Sequence, residues 1–142
     1  MKWYAIVPLT LAVVAVAVPW LMAHSPQLGF ALQRGFALVC HQRAERSFFL
    51  FGGSIAVCAR CLGIYLGASV GLMVRVPHRI AWHWLLVAAA LNLADWLAEF
   101  GGIHGNWMVT RLVLGIALGV GAGLLVAASY VGYTTPTPAK AA

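Results

Sequence analysis

WYAIVPLTLAVVAVAVPWLMA, Trp3 to Ala23, runs 21 residues without a charged side chain. A helix needs about 20 mostly apolar residues to cross the hydrocarbon core of a bilayer. This stretch therefore points the whole chain toward the membrane. Pro8 and Pro19 fall near its ends, where a missing backbone donor costs least. A cleavable leader is the competing reading, with Lys2 as its basic head and cleavage after Ala23. The apolar run is long for a leader, and His24-Ser25 is a poor cleavage context, so an uncleaved span is preferred.

The composition of the whole chain agrees with that reading. Charged residues make up 8% of the chain, against about 25% in soluble domains, and the hydrophobic set makes up 63%. Nine Lys+Arg and three Asp+Glu are too few to coat a soluble surface. Mean hydropathy is +0.90. Soluble folds, disorder and disulfide-stapled secreted domains are set aside. The expectation is one membrane domain over 1–142, an all-α integral membrane protein with four transmembrane helices. The spans are expected at about 3–23, 59–75, 80–99 and 109–133, with a site loop at 24–58. The tail from Thr134 to Ala142 is Pro- and Ala-rich and expected to fray.

Within the loop, Gln27 to Val39 carries Leu28, Ala31, Leu32, Phe36 and Val39 on one side, which predicts an interfacial helix. Apolar runs on either side of Gly52-Gly53-Ser54 predict a short hairpin that delivers Cys58-Ala59-Arg60-Cys61 to the second span. Gly63, Gly67 and Gly71 on the second span match Gly115, Gly119 and Gly123 on the fourth. Small residues four apart let two helices approach closely, so these spans are expected to pack on each other.

Four spans place both termini on one membrane side, with Lys2, Arg75, Arg79 and Lys140. Arg34, Arg43, Arg46, Arg60 and Arg111 fall on the other. The count alone does not orient the chain. Setting aside Arg46, Arg60 and Arg111, which lie among candidate site residues, tips the termini to the cytoplasm and the site to the extracytoplasmic face of the cell (inner) membrane. The net charge of +6 suits anionic lipid headgroups. Trp and Tyr residues near the span ends read as an aromatic belt. No phosphate-binding loop, dinucleotide fingerprint or nucleic-acid signature is present, and the bilayer is the expected partner.

The unusual polar residues gather at one end of the spans. Two cysteines separated by two residues can both turn their sulfurs to one ion, and Cys40-His41 on the preceding loop completes a three-Cys-one-His set. The metal ligands are therefore expected to be Cys40, His41, Cys58 and Cys61, and the metal zinc or another transition ion. The same residues permit redox chemistry, with Cys58 and Cys61 cycling between dithiol and disulfide and Cys40 as exchange partner. Small quinone-linked membrane oxidoreductases use a cysteine pair in this way. A third reading needs no chemistry: a packing partner in a larger complex, or a homo-oligomer, using the glycine faces. All three stay open, as does whether the chain is an enzyme.

Asn92, Asp95 and Glu99 follow 3 and 4 spacing and share a helix face. Asp95 lies within a span, and an ionisable residue there is a functional candidate. Arg111, at the head of the fourth span, is its expected partner. The pair is either a structural tie or a catalytic one, with Asp95 or Glu99 as base and Arg111 holding an anionic or carbonyl substrate. Arg43 and Glu45 read as solvated loop charges and Arg46 as part of an ordered turn. His104 and Asn106 flank the fourth span on the same face.

Cys40-His41-Gln42, Arg46-Ser47-Phe48, the glycines at 52 and 53, and Cys58-Ala-Arg-Cys-Leu-Gly-Ile-Tyr-Leu-Gly67 follow one another in a specific order. With Asp95 and Arg111-x-x-x-Gly115-x-x-x-Gly119, this order resembles a family of small predicted membrane proteins called domain of unknown function 2085. The resemblance runs from about Cys40 to Gly123. It implies a membrane protein whose motif residues form a site, and it implies no particular reaction.

Overall fold

The computed structural model describes residues 3–103, 105 and 107–134. Among them are five α-helices and one two-stranded ribbon: α1 Ile6–His24, α2 Pro26–Ala37, β1 Phe49–Leu50, β2 Gly53–Ser54, α3 Ala59–Met73, α4 His78–Phe100 and α5 Met108–Thr134. The tail expected to fray lies, beyond Thr134, outside the described residues, and so do His104, Asn106, Lys2 and Lys140.

Among the described residues, three helices are long and apolar enough to cross a membrane: α1 at mean hydropathy 2.3, α4 at 1.3, and α5 over Met108–Tyr130 at 2.3. The span expected at 59–75 is shorter. Helix α3 has 15 residues, about 22 Å at 1.5 Å per residue. It ends where Val74 turns extended, ahead of Pro77, whose ring cannot continue a helix.

Helix α1 packs on α3, α3 on α5, and α5 on α4, while α1 and α4 share no extended contact. The helices thus form an open row and not a closed four-helix bundle. The α3–α5 contact is the tightest and follows the glycine register read from the sequence. A Cβ added at Gly63 would lie 2.8 Å from the Ile116 nitrogen. One at Gly67 would lie 2.8 Å from the Val120 nitrogen, and one at Gly119 2.9 Å from that of Ala68. Real Cβ atoms essentially never come so close, so only glycine permits this backbone-on-backbone seam. All six glycines lie against the backbone of the opposing helix within the chain.

The α4–α5 contact relies on polar ties. Asn92 donates from Nδ2 to the Ala88 and Leu114 carbonyls at 2.9 Å, and Trp84 Nε1 donates to the Ala117 carbonyl at 3.0 Å. In lipid, such bonds hold helices that have no hydrophobic reason to associate.

Ser25 alone separates α1 from α2, and Pro26 starts α2 where an amide hydrogen would be unpaired anyway. Gly29 then lets α2 lie against Met22, since a Cβ there would come within 2.7 Å of the Met22 nitrogen. Phe36 is buried on this side, whereas Leu28 and Val39, expected on the same apolar side, are exposed.

The expected hairpin is present. Phe49 pairs with Ser54 and Leu50 with Gly53 in antiparallel register. The two turn residues, Phe51 at φ 51 and Gly52 at φ 82, both have positive φ, the requirement of a type I′ turn. Leaving the hairpin, Ile55, Ala56 and Val57 are 1% exposed or less and pack with Ala15, Val18, Phe36 and Cys40.

Pro19 corrects one expectation. It sits inside α1, not at an end where its missing donor is harmless. A proline at position 19 cannot donate to the carbonyl of Ala15. That carbonyl instead accepts the Ala56 amide at 3.0 Å. The defect in the helix is the anchor of the segment that leads into Cys58.

Candidate metal centre

Two segments deliver three sulfurs to one point. Cys40 follows α2, after the chain has made its last turn bonds to Phe36. Cys58 is the N-cap of α3, and Cys61 stands one turn further on. Their Sγ atoms all lie within 4.8 Å of one another, and none is in a disulfide. Around a tetrahedral zinc, with Zn–S near 2.3 Å, sulfurs are about 3.8 Å apart. The trio could hold such an ion with a small inward adjustment.

The surroundings favour a negative sulfur at Cys58. The Cys58 amide donates to Cys40 Sγ at 3.3 Å. The Cys58 thiol is lowered to about 5, chiefly by the Cys61 side chain. Burial opposes this, and the Cys61 amide, the Cys40 side chain and the Arg60 amide add to the lowering in that order. The shift favours the thiolate of Cys58, the form in which cysteine binds metal or attacks a disulfide.

His41 is placed differently. It is exposed and stands outside the sulfur group, although it lines the same cleft. The next residue, Gln42, has a role that the sequence reading did not assign. Its backbone takes a positive φ of 50°, uncommon outside glycine. Its Nε2 donates to the Gln33 carbonyl at 2.7 Å and to the Ala56 carbonyl at 2.9 Å. It ties the end of α2 to the segment before Cys58, and so sets Cys40 against Cys58. Its position beside Cys-His was the only available signal.

The charged residues converge as expected but pair differently. Asp95, expected to meet Arg111, pairs with Arg60 Nη2 at 2.5 Å. Arg111 pairs with Glu99, which also accepts from Arg46 Nη2 at 3.0 Å. The 3 and 4 spacing on α4 is real, but its residues reach different elements: Asn92 to α5, Asp95 to α3, and Glu99 to both α5 and the loop. Arg46 lies in a 3-10 turn, Ala44–Arg46, closed by the Ser47 hydroxyl donating to the Arg43 carbonyl at 3.0 Å. That is the ordered turn expected there. Cysteines and arginines together line a cleft of about 360 Å³, with Val39 and Trp96 on its walls.

Two archaeal proteins are similar over much of this chain. An uncharacterized protein of Methanocaldococcus jannaschii is 32% identical over 103 residues, 65% of this chain and 64% of its own length. An uncharacterized protein of Methanothermobacter thermautotrophicus is 30% identical over 95 residues, 63% of this chain and 86% of its own. The chain thus spans under two thirds of the first relative and most of the second. No solved structure matches. Residues 40–125, from the first cysteine to just past the glycine seam, match the family model described as a predicted membrane protein, and the chain belongs to that family, domain of unknown function 2085.

Proposed function

We propose that this chain is a multi-pass membrane protein that binds one zinc ion at one membrane face through Cys40, Cys58 and Cys61. The observation that carries this reading is the mutual approach to within 4.8 Å of three unbonded sulfurs, two from the first turn of α3 and one from the stretch after α2. Helix α3 is the fourth crossing, its short length offset by burial between α1 and α5. The fourth metal position faces the cleft, where His41 or a water completes a tetrahedron. If His41 closes it, the ion fastens the α2–hairpin layer to α3 and the role is structural. If water fills it, Asp95 and Arg111 flank an open site fit for catalysis. The termini lie in the cytoplasm and the site outside it. A periplasm-only reporter active when fused at Ala142 would reverse this orientation.

Elemental analysis of purified protein tests the metal. About one equivalent per chain is expected, with thiols that react with an alkylating agent only after chelation. Cys58→Ser and Cys61→Ser should each release the ion, while Asp95→Asn should keep it. The competing reading, thiol–disulfide exchange, draws on the lowered Cys58 thiol. Metal-free protein with a Cys58–Cys61 disulfide that exchanges with a dithiol or a quinone would replace the metal reading with that one.

A further inference from the structure

The cleft beside the cysteine trio holds more positive charge than its carboxylates match. Arg60 has Asp95, but Arg46 and Arg111 share Glu99, and exposed Arg43 adds a fourth guanidinium at the wall. Three thiolates around one zinc carry a net single negative charge, which still leaves one positive charge unmatched. Arg111 makes this surplus hard to dismiss as solvated. Its side chain is 5% exposed, and its one carboxylate among the described residues, Glu99, is divided with Arg46. Arg60 Nε is also buried and has no hydrogen-bond partner among the described residues. An unmade bond on a buried guanidinium group is costly unless a ligand supplies an acceptor.

We propose that this cleft binds an oxyanion, a phosphate or carboxylate group held between Arg46 and Arg111 beside the cysteine trio. The proposal names the ligand class of the metal site described above and rests on that reading only for its setting. Guanidinium forks match such groups with paired hydrogen bonds, and the volume of about 360 Å³ lies at the small end of ligand sites. The oxyanion has two sources, a free soluble anion or the headgroup of a membrane amphiphile. The apolar walls at Val39 and Trp96 are compatible with both.

The test uses the full chain loaded with zinc. Inorganic phosphate is titrated by calorimetry in uncharged detergent. Phosphatidic acid is offered separately, in phosphatidylcholine nanodiscs, and its binding is measured against discs that lack it. Phosphate binding in detergent identifies a soluble source, binding of phosphatidic acid alone identifies a headgroup, and either supports the proposal. Arg46→Gln, in a part-exposed turn that tolerates the change, should weaken binding about tenfold or more. Glu99→Gln frees both guanidiniums and should strengthen binding severalfold, a gain that misfolding does not produce. Arg75→Gln, at the opposite end of α3, should change nothing. Failure of both probes, or equal binding by wild type, Arg46→Gln and Glu99→Gln, overturns the proposal. Zinc content of the same samples separates the two readings. Bound zinc without anion binding sinks only this one, and anion binding without zinc sinks only the metal.

Discussion

The α3–α5 seam and the layer formed by residues 40–58 meet at Cys58, and they are held together in opposite ways. The seam repeats one device, glycine against backbone, over three helical turns. In the layer no device is used twice. Ala56 hangs from the Ala15 carbonyl, Gln42 spans two carbonyls, Ser47 closes a turn, and the Cys58 amide caps the Cys40 sulfur. The seam fixes Cys58, Cys61 and Arg111 as one rigid body, because they sit at the first turns of the two helices it joins. The layer fixes Cys40 and Arg46. A metal or an anion in the cleft needs both, so damage to either region should show at the site, but by different routes.

The seam should fail first and hardest. Gly67→Leu or Gly119→Leu drives a side chain into the opposing backbone, where nothing can rotate away. A loss of more than about 4 kcal/mol is expected, seen as absence of folded protein in detergent unfolding titrations. Gly35→Ala is the control, since an added methyl there meets nothing within 4 Å. A Gly67→Leu protein that unfolds like wild type would mean the seam is not what holds α3 to α5.

The layer should yield next, by loss of packing. Ile55 is 1% exposed at its centre. Ile55→Ala should cost about 2–4 kcal/mol through the cavity it leaves. Hydrogen exchange should locate the loss in residues 40–58, with the α3–α5 amides still protected. Equal loosening of both regions would show that they unfold as one unit, and the contrast drawn here would collapse into a single cooperative body.

Gln42→Ala comes third. Two part-buried carbonyls lose this donor, which should cost about 1–3 kcal/mol. Because Gln42 positions Cys40 without touching the metal, zinc affinity should fall by about 10- to 100-fold while one equivalent still binds at saturation. Loss of the stoichiometry itself would make Gln42 a ligand in its own right.

What the sequence made legible follows the same division. Lipid demands long uncharged runs, so α1, α4 and α5 could be bounded to within a few residues. Close helix approach demands small residues in register, so the seam could be named before its geometry was seen. The cysteine cluster was readable from spacing. In the layer the hairpin and the turn at Arg46 were readable from their local residues, but the contacts that join them to α1, α2 and α3 were not, because nothing in them is periodic. Gln42 looks like any loop residue until its two carbonyls are in place. The partner of Asp95 was misread for a related reason. Spacing shows that Asn92, Asp95 and Glu99 share a face, but it does not show how α4 is rotated about its axis, and that rotation gives Asp95 to Arg60 and Glu99 to Arg111.

Pro19 is where the two kinds of construction compete, and Pro19→Ala should separate them with the smallest effect of the set. Alanine restores an amide hydrogen to α1 and removes a helix-interior proline, a change worth up to about 3 kcal/mol in favour of the helix. The restored amide also bonds the Ala15 carbonyl, which now accepts the Ala56 amide at 3.0 Å. The ring that the hairpin rests on is lost as well, since a Cβ at Gly53 would lie 3.3 Å from the Pro19 Cβ. The expected result is a melting temperature unchanged or slightly raised, with faster hydrogen exchange at Ala56 and zinc binding weakened a few-fold. A carbonyl has two lone pairs, so both amides can share it and the loss at the site stays modest. If Ala56 exchanges as slowly as before and zinc affinity does not move, the burial of Ile55 and Val57 alone holds the layer, and the free carbonyl opposite Pro19 is incidental to the site.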